Sequence, residues 1–344
     1  MQPTPGPDQS PVKRSLKRGP GLLISISVIS MFCFLAVVAW VNWEKPRIQP
    51  EPLNPGLKNL ISRIPGKSDA LIYIGMKDIR ESPFWKTVMP DSMKKMPIIS
   101  MGGKLDSLTK SRNIVMSEDI DTLLISFRQE GFRKNDFIGL ATGSFAEKIP
   151  EPFLRENSAE SALAAGKNYY RLDRNFWLCS LGPKKVAVAS SRTILENFLA
   201  PSGSFFDRDS LSSALIDKAV YKSHLWFALP SAKWTNGALQ SLTSANRDMT
   251  GVGNLNRIRH LALSAKFNDG IEAETEWVYK TRRAAFFAST FLWGAAKLSG
   301  LSESRTSRQT RELLDRVKIQ QNLESVIIRT KLPEELFRKT GARP

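Results

Sequence analysis

One order of elements, a strand, a helix, a hairpin and a further helix, is written twice in this chain, and that repetition constrains the fold more than any other feature. The first copy has "ALIYIG" (70–75) as its single strand. An amphipathic helix follows, with Ile79, Phe84, Trp85 and Val88 on one side and Pro83 as an early interruption, and then a hairpin of "DTLLISF" and "DFIGLATGSF". The second copy has "HLWFALP" (224–230), the helix "SAKWTNGALQSL", and the hairpin "RIRHLALSAKF" with "IEAETEWVY". Helices over "FAEKIPEPFLRENSAESALAAG" and "TRRAAFFASTFLWGAAKLSG" follow the two hairpins. Each half closes with more strands, "YYRLD", "FWLCSL" and "KVAVAS" in the first, "VKIQQ" and "ESVIIRT" in the second. The expected class is α+β, with two similar modules of antiparallel sheet and packed helices at 57–205 and 206–340.

The second hairpin also predicts its own register. With Asn268, Asp269 and Gly270 as the turn, Phe267, Ala265, Leu263 and Leu261 oppose Ile271, Ala273, Thr275 and Trp277 on an apolar face. The other face then carries Lys266 opposite Glu272 and Ser264 opposite Glu274, which reads as a solvated polar side.

Ahead of the modules, Leu22 to Val41 carries no charge, and at 1.5 Å per residue such a run spans roughly 30 Å of hydrocarbon. It exceeds the roughly 7 to 15 apolar residues of a cleaved signal and ends in Trp40 and Trp43, which suit a membrane interface. Residues 21–43 are therefore expected to be an uncleaved transmembrane helix, 1–20 a disordered tail and 44–56, "EKPRIQPEPLNPG", a linker. Lys13, Arg14, Lys17 and Arg18 precede the run, so the positive-inside rule keeps the tail in the cytoplasm and exports the modules. Only Cys33 and Cys179 exist, one in the apolar run and one beyond it, and no Asn-x-Ser/Thr sequon occurs. This favours a single-pass protein of a bacterial inner membrane with a periplasmic or extracellular domain.

Formal net charge is +17; the tail, with four basic residues and Asp8, supplies +3 and leaves +14 for the rest. A balance of that sign suits anionic partners: anionic lipid, an acidic envelope polymer or an acidic protein. Nucleic acid has charge alone in its favour, and an exported location opposes it. Arg257, Arg259, Arg282, Arg283, Arg305, Arg308 and Arg311 recur near strand and helix ends of the second half and are the candidate residues for such a partner. "AAFFASTFLWGAA" (284–296) is apolar nearly all round but too short to span, which suits a core helix or an interfacial segment.

Catalytic signatures are sparse. A phosphate-cradling turn needs several glycines between strand and helix, whereas Gly75 stands alone, and "GVGNLN" (251–256) follows no strand. Ser107-Leu-Thr-Lys110, Ser111-Arg-Asn113 and Lys339-Thr-Gly341 match the short patterns of penicillin-recognising enzymes, but consecutive motifs cannot supply two sides of a cleft. The only histidines, His224 and His260, have no partner at metal-ligand spacing. Glu272, Glu274 and Glu276 share one strand face, and Lys266 with nearby arginines would neutralise them as a salt-bridged surface. No catalytic residue, metal ligand set or cofactor is expected.

Pro65, Asp69, Ala70, Ile79, Arg80, Ser82, Pro83 and Trp85 form a Pro-x-x-x-Asp-Ala, apolar strand, Ile-Arg-x-Ser-Pro-x-Trp run. In this run, and in the order of elements over roughly residues 60–340, the chain resembles a group of bacterial single-pass, membrane-anchored envelope proteins with a duplicated α+β ectodomain. That group has no assigned activity, so the resemblance implies fold and location without chemistry. The expected function is a membrane-anchored, non-enzymatic binding or scaffolding protein of the cell envelope. The alternative is an envelope hydrolase or transferase acting through Glu272 and Glu274 with His260.

Overall fold

Strands form where apolar and polar residues alternate, and those among the described residues join one sheet. The computed structural model describes residues 20–94, 107, 110–130, 134–173, 176–235, 258–301 and 308–338. The first half contributes β1 (Ala70–Ile74), β2 (Thr122–Glu130), β3 (Lys134–Thr142), β4 (Glu160–Ala164), β5 (Lys167–Asp173), β6 (Phe176–Gly182) and β7 (Lys185–Ala189). The second contributes β8 (Leu225–Leu229), β9 (Ile258–Phe267), β10 (Gly270–Tyr279), β11 (Lys318–Asn322) and β12 (Ser325–Pro333). Their order is β11-β12-β10-β9-β8-β1-β2-β3-β7-β6-β5-β4. Every pairing is antiparallel.

The two halves therefore meet strand to strand instead of as separate sheets. β1 pairs with β8, and Tyr73 lies opposite Trp226 with the rings stacked at 5.5 Å. Outward from that pair, β1-β2-β3-β7-β6 on one side has the same order of single strand, hairpin and reversed hairpin as β8-β9-β10-β12-β11 on the other. β5 and β4 extend the first side only. The β9–β10 register is the one that the alternation predicts, with Phe267 opposite Ile271, Leu261 opposite Trp277, and Lys266 opposite Glu272.

One expected helix is shorter than its sequence pattern. Residues 145–166 are helical only at Phe145–Lys148 (α5) and Glu151–Asn157 (α6), numbered after α1 (Pro20–Asn42), α2 (Pro55–Ser62), α3 (Met76–Glu81) and α4 (Pro83–Val88). Pro150 is the N-cap of α6 and interrupts the helical run, and "ESALA" then pairs with β5 through the two-residue turn Ala165–Gly166, both at positive φ (49° and 72°). The remaining helices used below are α7 (Arg192–Leu199), α8 (Phe205–Arg208), α9 (Ser210–Lys218), α10 (Arg282–Leu301) and α11 (Arg308–Asp315).

Helices cover both faces. On one, Leu57 and Ile61 of α2, Leu195 and Phe198 of α7, Phe205 of α8 and Leu215 of α9 pack on Leu71, Tyr73, Leu124 and Trp226. On the other, α5 and α6 close a cluster around Leu154, Tyr170 and Leu178, and α10 sets Ala285 and Ala288 against Leu261, Tyr279 and Val326.

Residues 44–54 have no regular structure, yet they are docked along the second half of the sheet. Lys45 donates through its backbone N–H to Asn322 Oδ1 (2.9 Å) and through Nζ to Gln321 Oε1 (2.7 Å). Arg47 meets Glu276 at 2.6 Å, and Glu51 accepts from Lys266 (2.6 Å) while its N–H donates to Val220 O (2.9 Å). The proline-rich stretch expected as a linker is thus a strap. Two units divide the chain, Met1–Trp43 and Glu44–Pro344. In the first, α1 is a helix of 23 residues with no acidic group in its first turn and no basic group in its last. Among the described residues no helix is long and apolar enough to cross a membrane. The side chains of α1 are described only from Ile29 onward, and its large apolar ones there are exposed.

Candidate functional site

The lone Gly75 follows β1, where its backbone lies against Ser223, just ahead of the neighbouring strand β8. A Cβ there would lie 2.0 Å from the carbonyl oxygen of Ser223, so glycine serves a backbone crossing and not a phosphate loop. The surrounding run of motif residues is equally structural. Asp69 Oδ2 accepts from Gln129 N–H (2.7 Å), and Arg80 donates to Ser117 O, Ile120 O and Asp121 (2.9, 2.8 and 2.9 Å). Ser82 caps α4 by accepting from Trp85 N–H (3.2 Å), with Pro83 in the first turn.

Beside this crossing lies a cleft of about 740 Å³ between the strap, the start of α2, α3 and the ends of β1 and β7. Leu53, Leu57 and Leu60 form an apolar wall, while Lys77, Asp78, Lys185 and Lys222 bring charge. Lys222 is 7% exposed, and its amine has no hydrogen bond or ion pair among the described residues. Burial holds its pKa below the usual lysine value, against the pull of Asp217 and Glu51. Burial likewise raises Asp78, an effect that His224 opposes and Glu81 reinforces. Tyr73 is pushed up to about 12 by burial and then by Asp78. His224 is lowered by burial, and its Nδ1 accepts from Phe267 N–H at 3.4 Å. Of these, Tyr73, Asp78 and Lys222 line the cleft, and perturbed groups on one concave site are the pattern that marks binding or reactive positions, whereas His224 lies outside its walls against Phe267.

No local motif marks Tyr73, Asp78 or Lys222 in the sequence. A signal existed: continuing the alternation of Trp226 and Ala228 backward from β8 puts Lys222 and His224 on the buried face.

The carboxylate row of β10 is less exposed than its alternation implies. Glu274 and Glu276 are 6% and 1% exposed because the strap, α9 and β12 bring cations over them. Glu276 takes Lys218 Nζ at 2.7 Å, a hydrogen bond from Ser325, and Arg47 at 2.6 Å as an ion contact. Glu274 pairs with Arg329, and Glu272 with Lys331 at 2.6 Å and Tyr221 at 3.3 Å. Glu272 and Glu274 do line a recess, of about 230 Å³. His260 is not among its walls; its Nδ1 lies 2.7 Å from Pro230 O. Among the described residues no group of three His, Cys, Asp or Glu side chains is placed to hold a metal.

Of the seven candidate arginines, Arg257 and Arg305 lie outside the described residues. Arg259 is exposed on β9, Arg282 pairs with Glu324 at 2.9 Å, and Arg283 is exposed beside it at the start of α10. Arg308 opens α11, for which only the backbone of that residue is described, and Arg311 is half-buried and engaged. Arg282 and Arg283 thus come together, whereas Arg308 follows the far end of α10, a helix roughly 30 Å long. The motif residues Lys339 and Gly341 also fall outside the described residues.

No family model matches the chain, and no curated protein is similar to it. Solved structures similar to it include crystal forms I and III of TP0453, each 11% identical. Form I covers 86% of this chain and 97% of its own at a TM-score of 0.40, and form III 84% and 97% at 0.44. Likeness at that level carries no argument about function.

Proposed function

We propose that this chain is a membrane-anchored, non-enzymatic binding or scaffolding protein of the bacterial cell envelope, belonging with the single-pass envelope group that its Asp69 to Trp85 run resembles. The carrying observation is the uncharged run Leu22–Val41 of the sequence, whose described part, from Ile29 to Trp40, presents exposed apolar side chains. In this reading α1 spans the inner membrane, the basic tail stays in the cytoplasm, and the sheet stands outside. The matching order of strands on either side of β1–β8 supports two similar modules built into one sheet. Exposed Phe287, Phe291 and Leu298 on α10, with Arg282, Arg283 and Lys297 at its ends, suit a surface held near lipid.

The partner in this proposal is anionic: lipid headgroups, an acidic polymer or an acidic protein, met by the basic surface of the second half. Reporter fusions at Pro344 test the topology, and activity confined to the cytoplasm would overturn it. Binding of the reconstituted chain to anionic vesicles and acidic polymers should weaken steeply with salt and with charge reversal at Arg259, Arg283, Arg305 and Arg308. Binding indifferent to both would leave a neutral scaffolding role. A hydrolase or transferase remains the second reading because Glu272 and Glu274 line a recess, but their pairing to Lys331 and Arg329 favours a structural network.

A further inference from the structure

We propose that the cleft beside the β1–β8 crossing binds a small carboxylate with an apolar body, its charged group held by Lys222. None of the basic residues in the reading above lines this cleft, so the proposal stands apart from that reading. The Lys222 side chain is buried, its ammonium has no partner among the described residues, and it opens only to the cleft, so water or an anion held in the cleft must meet that charge. Lys218, Lys266 and Arg329, all more exposed than Lys222, each have a carboxylate within reach.

The charges around the cleft favour an anion. Lys77 and Lys185 stand exposed at its rim and have no ion pair among the described residues. Asp121 is engaged by Arg80 at 2.9 Å, which leaves Asp78 as the one lining carboxylate not in an ion pair and the local balance positive. The α2 helix begins at the cleft with Asn54 and Pro55, so its positive end adds to the field there. Leu53, Leu57 and Leu60 offer no hydrogen bond and suit an alkyl or aryl body, and about 740 Å³ is ample for a ligand of that size.

The test is calorimetric titration of the full chain in detergent micelles with hexanoate, hexanol and inorganic phosphate as probes. Hexanoate is expected to bind at least tenfold more tightly than hexanol or phosphate. Lys222→Met keeps the apolar stem and removes the charge, so it should cost hexanoate tenfold or more, while Lys58→Met, on the same helix layer but outside the cleft, should cost nothing. Lys77→Glu with Lys185→Glu changes only exposed positions and should weaken hexanoate several-fold, which keeps the test decisive if Lys222→Met does not fold. Equal affinity for hexanoate and hexanol, preference for phosphate, or affinity unmoved by both sets of substitutions would overturn the assignment.

Discussion

The backbone N–H of Lys45 donates to Oδ1 of Asn322, 277 residues further along the chain, at 2.9 Å. With Arg47 on Glu276 two residues later, this bond makes the strap part of the sheet's second half. The Arg47–Ile48 peptide bond should therefore resist trypsin in the native chain, although its sequence reads as an open linker. Glu276→Ala removes the shared partner of Arg47 and Lys218. Both cations are about a third exposed and can regain water, so the expected loss is about 3 kcal/mol, the low end for breaking a buried pair. Urea unfolding gives that figure, and tryptic cleavage at Arg47 in the variant, but not the parent, checks the strap.

The same carboxylate fixes an acid limit. Burial works against ionisation of Glu276, but Lys218, Arg47 and Ser325 outweigh it and hold the carboxyl below its ordinary range. Because the folded value lies under the unfolded one, the stabilisation is present above about pH 4.3 and is lost as pH falls through the folded value. The stability gap between the parent and Glu276→Ala should close below that point. A gap that stays constant to pH 3 would show that packing, and not charge, causes the loss.

Glu274 runs the other way. Burial raises its pKa, with Arg329 opposing and Glu276 adding to the shift, so the stability tied to its protonated form is lost as pH rises through the folded value. At neutral pH the pair with Arg329 is a cost that each partner only repays to the other. Arg329→Leu alone should destabilise by about 3 kcal/mol or more at pH 7, whereas Glu274→Val with Arg329→Leu should come within about 1 kcal/mol of the parent. A double variant as unstable as the single would refute this account.

These residues also show where the sequence was legible. The β9–β10 register follows from a period of two and a local turn, both written within about twenty residues, and Phe267 opposite Ile271 obeys it. The polar side of that hairpin looks solvated in the sequence because alternation reports which side chains share a face, not what later covers it. What covers Glu276 is Arg47 of an aperiodic, proline-rich strap and Lys218 at the end of α9, and no local pattern announces either. The joining of β1 to β8 was hidden for the same reason: strands of two modules can pair edge to edge or stay apart with identical alternation. Nearness in sequence does not bring Arg282 and Arg308 together, because the length of α10 lies between them.

His224 gives a signature nearer neutrality. It is 8% exposed, stacks on Phe267 at 6.3 Å, and faces Asp78, Lys266 and Glu51. Burial lowers its pKa, Lys266 helps, and Asp78 with Glu51 opposes. For a histidine lowered on folding, the unfolded chain takes up the proton first, so stability falls as pH drops below about 6.5, by at most about 1.4 kcal/mol per pH unit. Protonation would also remove the acceptor that Nδ1 offers to Phe267 N–H. His224→Phe should flatten the thermal stability profile between about pH 6.5 and 5.5, and an unchanged slope would exclude His224 as its origin.

Gly75 tests the junction on which both halves depend. Its N–H donates to His224 O, and the chain at Ser223 passes so close that an added Cβ would sit 2.0 Å from a carbonyl oxygen and 3.1 Å from its carbon. Its φ of −85° suits any residue, so the demand is for space and not for an unusual backbone. Backbone cannot swing aside as a side chain would, and relief requires β1 and β8 to part where Tyr73 stacks on Trp226. Gly75→Ala is therefore expected to cost about 3 kcal/mol or more, in the diagnostic tail for single substitutions. Gly182→Ala, where a Cβ meets nothing within 4 Å, should cost under about 1 kcal/mol. Equal melting temperatures for the two variants would mean that the β1–β8 crossing is looser than its backbone contacts require.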